Sequence, residues 1–382
     1  MTFDLTREQR DIQKAAREFA EGELKDVARD LDAQERFDDT LWKKAAELGF
    51  LGVFIDEEYG GMGMGYLDQC LIVEEFARVD LGLAHAIEST FFGTQLILDV
   101  GTEEQKQKYL PAICRGEIRM GMAITEPDAG SDVASVSTEA VREGNEYVVT
   151  GNKIFITNCT KADFVVALCV TDPDNPKKHH RFSTIVVETD RPGYEATEFH
   201  GKLSLRASNT GDVVFKGVRV QVENLLGEEG RGFYNIMNFF NRSRVQVGAL
   251  GVGTAQGALE KAMDHVRKRR QFGKPLASFQ LVQGKIAEMV TMTEAARSLC
   301  YRAAAKLDSG KPDPGLSSMA KWYCSEVAVK VADEAIQLHG GYGILEEYNV
   351  AHYWRNAKVL EIFEGSKEVE KVIIANKLLG KF

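Results

Sequence analysis

The chain has 382 residues, 44% of them hydrophobic and 27% charged, with a formal net charge of −10. That length supports two or three domains with sizeable cores, and the acidic balance argues against nucleic acid or an anionic membrane as the main partner. No apolar run is long enough to cross a bilayer, and the charged first ten residues hold no signal-peptide core. Six cysteines (Cys70, Cys114, Cys159, Cys169, Cys300, Cys324) form no Cys-x-x-Cys pair, and several lie in apolar runs. They read as reduced core thiols of a cytoplasmic protein, not as disulfides or metal ligands.

Residues 5 to about 115 read as helical. Thr6–Gln9 is an N-cap signature, followed at helical spacing by Ile12, Ala15, Ala16, Phe19 and Ala20. Further helices are expected over 38–48, 66–79, 82–99 and 103–114. Between two of them, Glu58–Gly65 is rich in glycine but lacks the strand–turn–helix setting of a dinucleotide loop, so it reads as a flexible connection.

From about 120 to 222 strands are expected: Arg119–Ile124, Glu146–Thr150, Lys153–Thr157, Phe164–Thr171, Phe182–Glu188 and Asp212–Val220, punctuated by Gly, Asn, Asp and four of the eight prolines. Asp172–Arg181 reads as an exposed hairpin loop; its pair His179 and His180 lacks a third metal ligand at usable spacing. The turn Met122–Asp132 leaves a strand with the hydroxyls of Thr125 and Ser131 and free backbone N–H groups around Gly130, a setting for a polar heterocycle and a phosphate. Phe155 and Thr157, two apart on one strand, place a ring and a donor side by side, as a flat redox cofactor needs.

Long helices return at roughly 229–268, 279–309, 313–338, 346–353 and 356–379. Gly251–Gly257 lies inside one of them, where small residues permit close helix packing. Near the end, Phe363-Glu364-Gly365 interrupts periodic segments that run from Tyr348 to Leu360 and from Lys367 to Leu379. A carboxylate at such a turn, beside an aromatic ring and a glycine, has the setting of a general base. Read alone, the turn equally fits a helix linker with a solvated glutamate.

Taken together, Gly101–Pro111, Ile124–Asp132, Gln337–Gly343 and Phe363–Ser366 resemble, in order and spacing, the acyl-CoA dehydrogenase family across essentially the whole chain. The resemblance implies an α+β fold: an N-terminal helical domain (1–120), a middle β-barrel or sandwich domain (121–228) and a C-terminal four-helix bundle (229–382) around FAD. It implies that Ile124 and Thr125 meet the flavin edge, that Ser131 contacts the pyrophosphate and substrate, that Phe155 packs on the ring system where the family usually has Trp, and that Thr157 bonds flavin N5. Arg269, Gln271 and Phe272 would reach a neighbouring subunit's FAD, beside the ADP turn Gln337, Gly340 and Gly341, with Ser366 and Glu368 adding cofactor contacts. Such sharing implies a homotetramer, a dimer of dimers. Glu364 would be the catalytic base, with Phe363, Gly365, Asn241 and Arg244 around the acyl-CoA.

The implied reaction removes an α-proton while flavin N5 takes the β-hydride, giving a 2,3-enoyl-CoA and passing electrons to electron-transferring flavoprotein. The reverse, enoyl-CoA reduction, uses the same groups; an acyl-CoA oxidase and a non-catalytic scaffold are the other readings. Some relatives carry the base where Ser243 stands, which leaves Glu364 for that role. Ser366 replaces the usual Thr, and Asn241 a usual Asp. Ala77 and Ala84 stand where glutaryl-specific relatives have Glu and Arg, against a decarboxylating enzyme. His85 and Glu88 share a helix face and are placed to pair. Glu88 has two readings: a structural acid, solvated or paired with His85, or a polar contact or second base for an unusual, for instance cyclic, acyl group at the acyl pocket, as in the alicyclic acyl-CoA dehydrogenases that the chain would then resemble.

Overall fold

The computed structural model describes residues 4–89 and 91–380; expectations touching residues 1–3, Thr90 and residues 381–382 lie outside the described residues. Helix α1 (Arg7–Phe19) starts where its cap signature places it. The Thr6 hydroxyl accepts from Gln9 N–H at 3.1 Å, and Thr6 N–H donates to the Gln9 side chain at 3.0 Å. Then come α2 (Ala28–Ala33), α3 (Asp39–Glu47), α4 (Tyr66–Val79), α5 (Leu81–Glu88), α6 (Phe91–Val100) and α7 (Glu103–Cys114). Helices α4 and α7 have the expected bounds, whereas α2 has no expected counterpart. The single helix expected over 82–99 is two. Helix α5 ends at Glu88, and Phe92 and Gly93 are non-helical, with Gly93 at φ +115°. The cause is tertiary, since a Cβ on Gly93 would stand 2.2 Å from the Met120 side chain.

The glycine-rich segment is not loose, contrary to expectation. Met62, Gly63 and Met64 donate their N–H groups to the carbonyls of Gly52, Ile55 and Val53 at 2.8–2.9 Å. Gly61 lies so close to Ile55 that a Cβ would stand 2.0 Å from that carbonyl oxygen.

The middle of the chain forms β1 (Met120–Ala123), β2 (Glu139–Glu143), β3 (Glu146–Thr157), β4 (Phe164–Val170), β5 (Phe182–Glu188), β6 (Tyr194–Glu198), β7 (Thr210–Gln221) and β8 (Leu225–Leu226). They lie in the order β6-β7-β3-β2-β4-β5-β8, with β1 parallel to β4. The two runs expected at 146–150 and 153–157 are one strand with register shifts, and β2, β6 and β8 were not foreseen. Strand β4 is buried on both faces. Phe164, Val166 and Leu168 join the core shared with the helices. Val165, Ala167 and Cys169 face a second core made with Tyr147, Val149, Val213 and Phe215 of β3 and β7. Two-sided burial is why this strand is an unbroken apolar run, whereas β7 alternates. The 172–181 loop joins antiparallel β4 and β5 as expected, but His179 is stacked on Phe233, with ring centroids 4.1 Å apart.

The C-terminal part contains α8 (Gly232–Lys268), the small hairpin β9 (Arg270–Gln271) and β10 (Lys274–Pro275), α9 (Gln280–Asp308), α10 (Pro314–His339), α11 (Ala351–Leu360) and α12 (Lys367–Leu379). Helices α8, α9 and α10 pack on one another, and α12 packs on α10. The expected helices 346–353 and 356–379 are not the true divisions; the chain breaks at 361–366, as the segments flanking Glu364 suggest. None of the described helices is long and apolar enough to cross a membrane.

Two devices lock the parts together. Along α8, Gly253 and Gly257 let α4 lie against the backbone: a Cβ on either would stand 2.2 or 2.1 Å from the carbonyl oxygens of Glu74 and Arg78. On α11, His352 bonds Asp80 at the α4–α5 junction, and Arg355 bonds Asp32 of α2 and, at 2.8 Å, the Leu203 carbonyl that follows β6. Burial opposes the His352 imidazolium, but Asp80 and Asp32 outweigh it and push its pKa up to about 9. Gly253→Ala is expected to destabilise the protein by about 1–3 kcal/mol, the usual range for overpacking. The measurement is the thermal unfolding midpoint, which should fall by several degrees; an unchanged midpoint would show that α4 can move aside.

Candidate active site

The loop between α11 and α12 positions the central carboxylate. Glu364 has φ +55° and Gly365 φ +102°, two consecutive left-handed residues. Ser366 then caps α12, its hydroxyl accepting from Val369 N–H at 3.4 Å. The Glu364 side chain turns back onto α8, where Ser243 donates its hydroxyl proton to Oε2 at 2.6 Å. Arg244 Nε lies 3.4 Å from the Glu364 carbonyl oxygen and 3.0 Å from Glu370 Oε1. Lys321 of α10 donates to the Gly365 carbonyl. Burial raises the Glu364 pKa above the usual carboxylate range, while Ser243, Arg244 and Lys321 hold the rise in check. A carboxylate so placed has more proton affinity than an ordinary glutamate, the condition for a general base.

Helix α5 backs this loop. The Phe363 ring lies 5.6 Å from that of His85, which lies 6.0 Å from that of Phe92. His85 and Glu88 do not pair with each other as expected. His85 Nδ1 meets the Ser208 hydroxyl at 3.1 Å, and Glu88 accepts from the Gln69 amide on α4. Tertiary neighbours displaced the helical pairing because each group is buried, and each found a partner on another element. Burial lowers the His85 pKa to about 4, which keeps the imidazole neutral, and raises that of Glu88 well above the usual carboxylate range, the Gln69 amide opposing the rise. Glu88 Oε1 and Gln69 Oε1 are buried without a hydrogen-bond partner among the described residues.

A second surface is built on the sheet. Thr125 accepts from Ile154 N–H at 2.9 Å, which ties the turn after β1 to β3. Glu126 and Ala129 exchange backbone hydrogen bonds at 3.0 and 3.1 Å, closing that turn and leaving Ser131 exposed. The register of β3 shifts between Lys153 and Ile156, and within this bulge Phe155 adopts φ +60° and is 64% exposed. Plain alternation does not describe this stretch: the bulge re-aims the ring outward, and Thr157 is half-buried beside it.

A third surface is a cavity of about 380 Å³ lined by Arg269, Gln271, Gln337, Gly340 and Gly341 together with His265 and His339, whose rings stack at 4.2 Å. Arg269 stands over the Tyr342 ring at 5.0 Å. Phe272, at φ +50° and 92% exposed, projects from the β9–β10 hairpin. No hydrogen bond or ring contact among the described residues joins this cavity to the Phe155 surface. Of the remaining candidates, Asn241 is half-buried one turn before Arg244, and Glu368 is exposed in the first turn of α12.

Three family models match the chain in order: acyl-CoA dehydrogenase N-terminal domain over residues 6–117, middle domain over 121–218 and C-terminal domain over 230–379. The chain belongs to the acyl-CoA dehydrogenase family. It is 40% identical to the acryloyl-CoA reductase (NADH) of Anaerotignum propionicum, over 100% of this chain and 97% of that protein. Among solved structures it is similar to butyryl-CoA dehydrogenase from Megasphaera elsdenii (TM-score 0.96, 37% identity, covering 99% and 100% of the two chains). It is also similar to a chain from a structure described as the electron transferring flavoprotein of Acidaminococcus fermentans (TM-score 0.97, 38% identity, covering 100% of both). Members of the acyl-CoA dehydrogenase family are flavoproteins and oxidoreductases acting on CH–CH bonds, so this chain is an enzyme of that class.

Sequence reasoning missed several charges around these sites. Lys321 lies in α10 on a buried face shared with Ser317, Ser318, Cys324 and Ser325, and that polar surrounding gave no signal that the lysine is buried. Glu370 carried no signal of its own. Lys153 is completely buried and donates to the carbonyls of Ile124 and Leu168 and to Glu126 Oε1 at 2.8–3.0 Å, so it pins the turn that carries Thr125. Although burial opposes the Glu126 charge, Lys153, Thr138 and the Ser137 N–H hold its pKa down at about 2. Its contribution to stability is therefore present above the ordinary glutamate pKa and is lost as pH falls towards 2. Lys153→Met leaves Glu126 uncompensated and should cost about 3–5 kcal/mol at neutral pH, with the deficit shrinking at acid pH. Urea unfolding at the two pH values measures both effects.

Proposed function

We propose that this chain is an FAD-dependent acyl-CoA dehydrogenase in which Glu364 removes the α-proton of an acyl-CoA and a 2,3-enoyl-CoA is formed. The observation that carries the reading is the Glu364 carboxylate: half-buried, raised in pKa, oriented by Ser243 and fixed on a turn whose carbonyls are gripped by two cations. Bound FAD supplies the acceptor for the β-hydride. The residues present fit it: the exposed Phe155 ring beside Thr157 suits the flavin, and the open space at Gly340 and Gly341, where a Cβ would meet nothing within 4 Å, suits the diphosphate beside Arg269 and Gln271. Ile124, Thr125, Ser131, Phe272, Gln337, Ser366 and Glu368 are assigned to the same cofactor.

The protein's own steps are few. Phe363 and His85 wall the loop with rings that exclude water. Asn241 and Arg244 line the approach of the substrate along α8. The Glu364 carboxylate accepts the α-proton, and backbone N–H groups at the Gly365 turn can approach the thioester oxygen because no side chain intervenes. The reverse reaction uses the same groups, and likeness to an acryloyl-CoA reductase makes reduction the second reading. The exposed Phe272 on the hairpin that carries Gln271 is the kind of projecting group that meets a neighbouring copy, which supports a homotetramer whose copies share the cofactor. An electron-transferring flavoprotein as electron partner is suggested by the similarity to the Acidaminococcus fermentans structure, and the buried free cysteines suit the cytoplasm.

Glu364→Gln should retain flavin and ligand but slow the bleaching of the flavin by acyl-CoA by roughly 10²–10⁴-fold, the range expected for a lost general base. Anaerobic stopped-flow absorbance checks this, and bleaching at the native rate would sink the assignment.

The substrate is assigned to short or cyclic acyl-CoA thioesters on a second observation. Glu88 and Gln69 each leave one buried oxygen unpartnered among the described residues beside the His85 wall, and a polar group carried on the acyl chain or ring is what would be read there. Glu88→Gln is expected to lower kcat/KM for an acyl-CoA that carries a hydrogen-bonding group on its chain or ring by roughly tenfold, about one buried hydrogen bond, with butyryl-CoA little affected. Equal values for every acyl group tested would leave Glu88 a structural residue.

A further inference from the structure

Glu370 lies in the first turn of α12, fully buried, and its contact with Arg244 is ionic, with neither oxygen accepting a hydrogen bond among the described residues. Its carboxylate fills the space where a side chain on Gly365 would be. A Cβ there would stand 2.0 Å from Glu370 Oε1. On the two peptide units of the same turn, Arg244 Nε lies 3.4 Å from the Glu364 carbonyl and Lys321 Nζ donates to the Gly365 carbonyl. We propose that Glu370 is a positioning residue for the base: it is the counter-ion that keeps Arg244 and Lys321 on the backbone of the Glu364–Gly365 turn, and so governs the orientation and titration of Glu364 without touching substrate. The inference rests on Glu364 being the base.

The charge count explains why such a residue is needed. Arg244 comes from α8 and Lys321 from α10, and Glu364 and Glu370 come from the loop and α12. Glu361, which precedes the loop, is paired with Lys358 and, at 3.3 Å, with Lys367. Without Glu370 the two buried cations would face Glu364 alone, draw its carboxylate towards them and strip it of proton affinity. Glu370 balances them and repels Glu364, acting in the direction that keeps the base basic. It also supports the charge of Lys321, whose pKa burial lowers to about 8.

The test uses the flavin-loaded full chain and follows flavin bleaching by butyryl-CoA as a function of pH. Glu370→Gln should shift the acid limb (Glu364) and the alkaline limb (Lys321) to lower pH by about one unit, the effect of one like or unlike charge at close range. The bleaching rate should fall roughly tenfold or more, with acyl-CoA binding changed less than about twofold. Glu370→Asp keeps the charge on a shorter stem, so its limbs should stay near those of the native protein while the rate falls. A folded Glu370→Gln with normal flavin content and unmoved limbs overturns the inference, as does Glu370→Asp at the native rate if Glu370→Gln fails to fold. Glu364→Gln separates the two readings. If it still bleaches, the base assignment is wrong; if it does not and the Glu370→Gln limbs stay put, only the role of Glu370 is wrong.

Discussion

A left-handed glutamate held by two buried cations is the constraint on which the rest of this structure depends. A non-glycine residue at positive φ costs of order 1–3 kcal/mol and persists only where its surroundings over-determine it. At Glu364 they do so from three helices: Ser243 and Arg244 on α8, Lys321 on α10 and Glu370 on α12 converge on two peptide units. Buried charges of this kind contribute little net stability. Their effect is on geometry, because each cation must find its carbonyl and its counter-ion at once, and few arrangements of the three helices allow that.

The convergence in turn needs the bundle to be anchored from outside. Helix α8 lies directly on the backbone of α4 through Gly253 and Gly257, which brings α4 and the following α5 up to the loop. The Asp80–His352–Asp32 cluster with Arg355 ties α11 to α2 and α5, and Ser204 and Leu205, the latter at 3.0 Å, bond Arg355 and Asn356 from the β region. Strand β4 does the same for the sheet, since one of its faces belongs to the helical core. The Phe155 surface and the Glu364 loop are therefore held in one frame although the rest of the sheet and helices α8 to α11 separate them in sequence.

The polar groups around the sites divide by how they are satisfied. Lys153 and Glu126 are fully partnered and make the turn that carries Thr125 rigid. Glu88 and Gln69 share one hydrogen bond and leave an oxygen each unpartnered, a state that a purely structural pair has no reason to keep. The contrast separates a fully satisfied pair from one that keeps spare hydrogen-bonding capacity.

Local chemistry decided much of this protein from the sequence alone. Capping boxes at Thr6 and Thr102 and strong periodicity set α1, α4 and α7 within a residue, because those signals act within one turn of helix. The ordered motifs announced the family, and the apolar run of β4 announced a strand, although its burial on both faces appears only once sheet and helices have packed. What failed were features whose causes lie far away in the chain. The break between α5 and α6 exists because Gly93 meets Met120. His85 and Glu88 left each other for Ser208 and Gln69 because burial demands the better partner. The short, charged strands β2 and β6 carry no apolar pattern and exist through pairing with β3 and β7. Lys321 and Glu370 could not be read as parts of the site, since a buried charge is intelligible only with its counter-charge, and Arg244, Lys321 and Glu370 become neighbours only when α8, α10 and α12 have packed.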